Sequence, residues 1–239
     1  MALHQHWSPE QISAVGKEYA FFVSHEWIYQ YSYKDKQRKG NLWRCLRQSK
    51  RRYHKGNGRK RTPIPDAVSI EERPAIIDER SCLGDWKADL VLGQQGTDAI
   101  VTLAERCSLY LIKKVPSKEA SVVSQAIIEM LSDYKTHCFT LTFDNGGEFS
   151  EHKKIAEALE ADTYFAHPYS TYERGLNENF NGLLRQYIPK GTDLRTITDE
   201  QLQPYQDILN NRPRKCLGFK TPQVVFNELK NISGVALRS

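Results

Sequence analysis

Long apolar runs are missing from this chain of 239 residues. The longest, such as Ala99 to Ala104, fall far short of the ~20 residues that span a bilayer, which excludes a membrane-spanning helix. Residues 1–7 lack the basic-then-apolar order of a secretory signal, so the expectation is a soluble, intracellular protein with no membrane partner. Paired cysteines are also missing. Cys45, Cys82, Cys107, Cys138 and Cys216 form an odd, scattered set without a Cys-x-x-Cys pair, which excludes a zinc finger or a disulfide framework and predicts reduced packing thiols. His4 and His6, with no cysteine pair behind them, read as a frayed terminus. Acidic residues, finally, are nearly absent between Lys34 and Arg61. That stretch holds thirteen Lys or Arg against Asp35 alone, a net +12, so the overall +5 leaves −7 for the remainder. Clustered cations gain affinity for phosphates by releasing counterions, so the strap implies a polyanion partner.

Ahead of the strap, Ser8-Pro9-Glu10-Gln11 has an N-cap serine, a proline at the first helical position and a capping-box glutamine, predicting a helix to about Tyr19. A second helix restarts at Ser24, with Trp27, Ile28 and Tyr31 as its apolar face. The pair fits a helix-turn-helix whose second helix offers His25, Glu26 and Gln30 to a groove. Residues 34–66, rich in Gly, Pro and cations, read as a linker with one short helix around Leu42 to Leu46.

After Pro65 the composition turns globular. Trp86 to Gly93, Ala99 to Ala104 and Ser108 to Val115 read as strands joined by short connections, hence an antiparallel meander. Lys118 to Tyr134 is an amphipathic helix with Val123, Ile127, Met130 and Leu131 inward. There follow a strand Phe139 to Asp144, a helix Lys153 to Glu160 with Ile155, Ala158 and Leu159 inward, and a short strand Thr163 to Ala166. Helices from Asn177 to Tyr187 and from Asp199 to Asn211 close the order. The fold class is α/β: a ribonuclease-H-like core of five mixed strands with flanking helices. The expected division is a helix-turn-helix segment at 1–33, a basic linker at 34–80 and the catalytic domain at 81–239.

Three carboxylates stand where a surface charge is not expected. Asp89 interrupts an apolar strand, where an unpaired carboxylate costs several kcal/mol. Asp144 ends a strand and enters Asn145-Gly146-Gly147, a turn at the edge where ligands of open α/β sheets collect. Glu178 lies at a helix start, where the dipole favours its ionised form. Drawn together they repel one another unless cations neutralise them, and oxygen-only ligands select Mg²⁺ or Mn²⁺. Two ions roughly 4 Å apart would activate a water or a 3′-hydroxyl for in-line phosphoryl transfer.

These residues fall in Trp86-x-x-Asp89-Leu90, Thr142-Phe143-Asp144-Asn145-Gly146-x-Glu148-Phe149, His167-Pro168-Tyr169 and Glu173-Arg174-Gly175-x-Asn177-Glu178-Asn179. The series continues through Asn181-Gly182-Leu183-Leu184-Arg185 and Asn210-Asn211-Arg212-Pro213. From residue 7 to Pro222 the chain resembles the IS-thirty-type insertion-sequence transposases, bacterial DDE recombinases. The resemblance implies that Asp89, Asp144 and Glu178 are a metal-binding catalytic triad using Mg²⁺ or Mn²⁺, with 33 residues between the second and third. It implies cleavage at the 3′ ends of a transposable element and strand transfer into double-stranded target DNA. It further implies terminal inverted repeats as a partner, a homo-oligomer assembled on DNA, and a bacterial cytoplasmic, nucleoid-associated setting. Set against that family, the chain is expected to lack the most N-terminal helix-turn-helix, and Lys87 departs from a Glu that the family generally has there. As strand residues i and i+2 share a face, Lys87 would project on the side of Asp89, against phosphate or in competition with metal.

The expected DNA contacts are Arg38, Lys39, Arg44, Arg47, Lys50, Arg51, Arg52, Arg59, Lys60 and Arg61 in the strap, with Arg185, Lys190 and Arg212 to Lys215 beyond it. Glu148 is expected to cap the following helix, and His167 to be a structural hydrogen bonder. On the helix beginning at Asn177, positions 178, 181, 182 and 185 share one side, with Gly182 leaving room for a DNA strand and Leu183, Leu184 and Tyr187 facing the core. Two other functions share part of this pattern. A DNA-binding remnant acting as a repressor would keep the strap without cutting, and a ribonuclease-H-like nuclease would nick DNA without joining it.

Overall fold

Alternation along Asp85–Leu92 puts Trp86 and Ala88 in one apolar cluster and Val91 in another, so this strand, β1, is buried on both faces. In the computed structural model the described residues are 2–46, 64–79, 82–94, 98–167 and 175–236, apart from the side chains of residues 175, 176, 178 and 233–236. They divide into two units, residues 1–59 with 212–221 and residues 60–211 with 222–239.

The larger unit is built on a sheet of five strands: β1, β2 (Ala99–Glu105), β3 (Tyr110–Val115), β4 (Thr140–Phe143) and β5 (Asp162–Phe165), in the order β3-β2-β1-β4-β5. The first three form the expected antiparallel meander, and β4 and β5 run parallel to β1. Helices α3 (Ala120–Leu131), α4 (His152–Leu159) and α7 (Pro222–Ala236) bear on one face, through Val123, Ile127, Ile155, Leu159 and Phe226. Helices α5 (Gly175–Leu184) and α6 (Asp199–Asn210) cover the other through Phe180, Leu183, Leu184, Leu202 and Leu209.

Both sheet edges are closed, which removes the template that an open edge strand presents. On β3, the Asn210 side chain accepts from Tyr110 N (3.0 Å) and donates to Tyr110 O (2.8 Å), while Gln206 Oε1 accepts from Ile112 N (2.9 Å). Two α6 amides thus replace the next strand. On β5, Phe165 N donates to Val68 O at 2.9 Å and Ser69 bridges Phe165. Residues 64–79 therefore pack on the sheet, where the sequence suggests the end of a linker. Ile77 is buried there, and a loop of this kind is hard to see because it lacks periodicity.

The smaller unit contains α1 (Pro9–Glu18) and α2 (His25–Gln37). The predicted capping box is present: Ser8 Oγ accepts from Gln11 N and Gln11 Oε1 accepts from Ser8 N. Helix α2 runs past the expected end to take in Lys34 and Lys36, because nothing breaks it before Gly40 and cations suit a helix C-terminus. Its buried positions are Ile28 and Ser32. Trp27 and Tyr31, expected to face inward, stack on each other at 5.1 Å with 55% and 42% exposure. The small Ser32, its hydroxyl donating to Ile28 O, is what fits the narrow packing seam.

Other differences are local. The helix expected at 118–134 is α3 followed by a 3-10 stretch, Ser132–His137. In α4 the inward neighbour of Ile155 and Leu159 is His152, bonded to Thr163 and Pro65 O, and Ala158 is exposed. Among the described residues no helix is long and apolar enough to cross a membrane. All five cysteines are free thiols. Cys107 and Cys138 are packed as expected, but Cys82 and Cys216 are exposed.

Candidate active site

The parallel pairing of β1 with β4 sets Lys87 opposite Thr142. Two residues further along come Asp89, still within β1, and Asp144, the residue after β4 ends, so both carboxylates start from neighbouring chains about 4.8 Å apart, on one face and just past the last β1–β4 pairing. Leu141 and Phe143 belong to the apolar cluster behind the sheet, which leaves Thr140, Thr142 and Asp144 on the side that β1 fills with Asp85, Lys87 and Asp89. Sequence and fold agree that this edge gathers acids.

Each carboxylate is fixed locally. Asp89 Oδ1 accepts from Leu90 N at 2.8 Å, and its main-chain oxygen accepts from Thr102 Oγ1 at 3.1 Å. Asp144 Oδ1 accepts from Gly146 N at 3.0 Å, an Asx turn that starts the loop after β4. The adjacent Asn145 amide donates to Ala166 O, tying that loop to the end of β5.

Helix α5 brings the third position. Asn177 Nδ2 donates to Ala88 O at 3.1 Å, and Asn181 Nδ2 donates to Asp89 Oδ2 at 2.8 Å. Glu178 follows Asn177 and precedes Asn181 by less than one turn, so its backbone is held beside β1; its side chain lies outside the described ones. Among the described side chains, no group of three His, Cys, Asp or Glu gathers to hold a metal. The donor set that the strands place side by side, the partly exposed carboxylates of Asp89 and Asp144, is all oxygen. That chemistry fits a hard divalent cation.

Polar residues continue down the same face. Lys87 is buried. Arg73, from the segment packed on β5, donates to Thr142 Oγ1 (3.2 Å) and to Asp78 (2.6 Å), and Arg106 reaches the same Asp78 oxygen at 2.9 Å. Asp85 accepts from Thr140 Oγ1 at 2.6 Å; burial raises its pKa, against the pull of that bond and of Arg106 and Arg73. At the hairpin beyond, Glu105 is fully buried and burial pushes it up to about 7, although it accepts from Ser108, Cys107 and Gly84.

The other expected site residues divide. Arg185 is directed at main-chain oxygens, with Nη2 donating to Leu92 O at 2.6 Å, and burial lowers its pKa; it closes the end of β1 where a phosphate contact was expected. Lys190 is exposed, as are Arg38, Lys39 and Arg44. Arg47, Lys50, Arg51, Arg52, Arg59, Lys60 and Arg61 lie outside the described residues. Arg212 and Arg214 are buried, and Arg212 Nε donates to Gln11 Oε1 at 3.1 Å, which ties Arg212 to α1 in the small unit; Lys215 is exposed and pairs with Glu10. Glu148 does not cap α4, which has no side-chain cap; its carboxyl lies over Gly146, where a Cβ would collide with it. His167 pairs with Glu71 at 3.2 Å, the structural role expected of it. Gly182 is exposed with open space around it, and Leu183 and Leu184 are buried.

Sequence reasoning missed Tyr110 and Arg73, and gave Asn210 a place in a motif but no role. Only their polarity inside or beside apolar runs could have pointed to them, and pairing across 100 residues leaves no local signal.

The chain is similar to known proteins along nearly all its length. It is 42% identical over 241 residues to the transposase for insertion sequence element IS4351 of Bacteroides fragilis, covering 99% of this chain and 74% of that protein. It is 35% identical over 250 residues to transposase InsI for insertion sequence element IS30A of Escherichia coli, covering 98% of this chain and 63% of that protein. Among solved structures, a chain of the simian T-cell lymphotropic virus intasome in complex with PP2A regulatory subunit B56 gamma superposes with a TM-score of 0.50. At 18% identity, over 60% of this chain and 54% of that one, this likeness concerns the fold, a ribonuclease-H-like integrase core. No protein-family model matches the chain.

Proposed function

The chain belongs to the IS-thirty family of insertion-sequence transposases, and on that footing we propose that it cuts the 3′ ends of its element and joins them to target DNA with Asp89, Asp144 and Glu178. Its function is DNA transposition, and it is an enzyme that cuts and joins DNA. The observation that carries the assignment of residues is the shared side of two adjacent parallel strands: Asp89 lies within β1 two residues past its last pairing with β4, Asp144 follows the end of β4, and the helix that bears Glu178 is bonded to β1 through Asn177 and Asn181.

Asp89 and Asp144 would hold Mg²⁺ or Mn²⁺ together with Glu178. When bound, such ions activate the attacking oxygen and neutralise charge on the leaving one. Asn181 orients Asp89 through its amide, and the Asx turn at Gly146 orients Asp144. The open side of α5 at Gly182, one turn beyond Glu178, leaves space for a DNA backbone. The basic strap holds phosphates without reading sequence. Double-stranded DNA, at the element's terminal inverted repeats and at the target, is the partner, and an oligomer assembled on two ends would bring them together.

The test is incubation of the protein with labelled terminal-repeat DNA and Mg²⁺, scoring nicked and joined products. Wild type is expected to give both, and chelator or Asp144→Asn neither, with binding to the DNA retained. Joined products from Asp144→Asn would overturn the assignment. Nicks without joining from wild type would favour a nuclease.

A further inference from the structure

Tyr110 lies on β3, two strands away from Asp89, and no part of the reaction just described uses it. It is nonetheless connected to the site. Its hydroxyl donates to Asn181 Oδ1 at 3.2 Å, on the same amide whose Nδ2 donates to Asp89 Oδ2 at 2.8 Å. The ring is 1% exposed and stacked on Phe180, centroids 4.5 Å apart at 7°. Its main chain is clamped on both sides by the Asn210 amide.

We propose that Tyr110 is a positioning residue for the metal-binding carboxylate Asp89, acting through the Asn181 amide; this rests on the assignment of Asp89 made above. A carboxamide has one donor end and one acceptor end. Turned over, Asn181 would set its oxygen against an Asp89 oxygen and leave that carboxylate without its donor. The Tyr110 hydroxyl engages the acceptor end, so the donor end is presented to Asp89. The phenol can do this because neither end of the residue can shift: stacking fixes the ring and Asn210 fixes the backbone. Partners behind a ligand commonly decide how well the ligand holds a metal, and chained hydrogen bonds strengthen one another in a low-dielectric interior. Here the hydrogen-bond chain runs from the Tyr110 hydroxyl through the Asn181 amide to Asp89, and Asn210 anchors the main chain from which the phenol projects.

The experiment uses the full chain with pre-cleaved end DNA and Mn²⁺, and reads the Mn²⁺ concentration for half-maximal joining, the KM for DNA, and Mn²⁺ binding by electron paramagnetic resonance. Tyr110→Phe keeps the stacked ring. It is expected to raise the half-maximal Mn²⁺ concentration and weaken Mn²⁺ binding on the order of threefold to tenfold, leaving KM for DNA and the thermal midpoint near wild type. In the Asn181→Ala background, Tyr110→Phe is expected to add nothing. Wild-type Mn²⁺ dependence in Tyr110→Phe, or a full additional effect on top of Asn181→Ala, would overturn the proposal. If Tyr110→Phe does not fold, 3-fluorotyrosine at position 110, a stronger donor of nearly the same shape, is expected to lower the Mn²⁺ requirement; an unchanged or raised requirement contradicts the proposal. Asp89→Asn separates the two levels. If it retains Mn²⁺-dependent joining, the assignment of Asp89 fails. If it abolishes joining while Tyr110→Phe behaves as wild type, the role of Tyr110 alone fails.

Discussion

Asn181 holds Asp89 from the helix above the sheet, its Nδ2 donating to Asp89 Oδ2 at 2.8 Å. A partly exposed carboxylate has rotamer freedom, and repulsion from Asp144 beside it would turn it away from a shared ion. A donor fixed on α5 opposes that motion and ties the helix of Glu178 to β1. Asn181→Ala is therefore expected to lower joining and divalent-ion affinity by roughly 10–100-fold while DNA binding stays at the wild-type level. Titration of activity with Mn²⁺ beside a gel-shift measurement checks this, and equal losses in both readouts would speak against it.

Asn210 is expected to be a stability residue. It is buried and satisfies both main-chain groups of Tyr110, so truncation leaves a donor and an acceptor unpaired at a covered sheet edge. Asn210→Ala should cost about 2–4 kcal/mol, read from urea unfolding at unchanged m-value.

Much of this was legible in the sequence, and the reasons are physical. Strands β1 to β5 and helices α3 to α6 announce themselves through periodicity, and the capping box at Ser8 is a local code. Asp89 and Asp144 stand out because charge interrupts an apolar strand or ends one. The register that puts them side by side is not local; it comes from parallel pairing over more than 50 positions. Helix α7 went unread although Pro222 opens it and Phe226 and Leu229 share its inner face. Trp27 and Tyr31 misled because aromatics suggest a core, whereas Ser32 packs the seam. Arg185 and Arg212 show that charge alone does not tell a phosphate contact from a main-chain or side-chain partner: one donates to Leu92 O and the other to Gln11 Oε1.

Glu105 sets a pH dependence. Its folded-state pKa of about 7 lies above the ordinary carboxylate value of 4.5 because of burial. The unfolded chain therefore loses the proton first as pH rises. Its contribution to stability is full below about pH 4.5, declines through about pH 7 and then levels off, a change on the order of 3 kcal/mol. Unfolding free energies measured from pH 5 to 8 should fall with this slope in wild type, and Glu105→Gln should flatten it. A wild-type slope retained in the variant would assign the dependence elsewhere.

The strap predicts steep salt dependence. With about six phosphates contacted by the cations between Lys34 and Arg61, affinity for DNA should drop roughly 10³-fold between 50 and 200 mM salt. Charge-neutral substitutions at Arg51, Arg52, Arg59 and Lys60 should reduce the slope of log K against log salt, whereas Asp144→Asn should leave it as it is. Equilibrium binding by fluorescence anisotropy distinguishes these outcomes.

The central claim is that Asp89, Asp144 and Glu178 hold the divalent ions of a DNA-cutting and joining site. Anomalous diffraction from crystals of the protein bound to end DNA and soaked in Mn²⁺ tests it most directly. A Mn²⁺ peak within about 2.0–2.4 Å of carboxylate oxygens of Asp89 and Asp144, with Glu178 ligating the same or a second ion, is the result predicted. Mn²⁺ bound elsewhere, with these three carboxylates apart and unligated while the crystals still turn over, would contradict it.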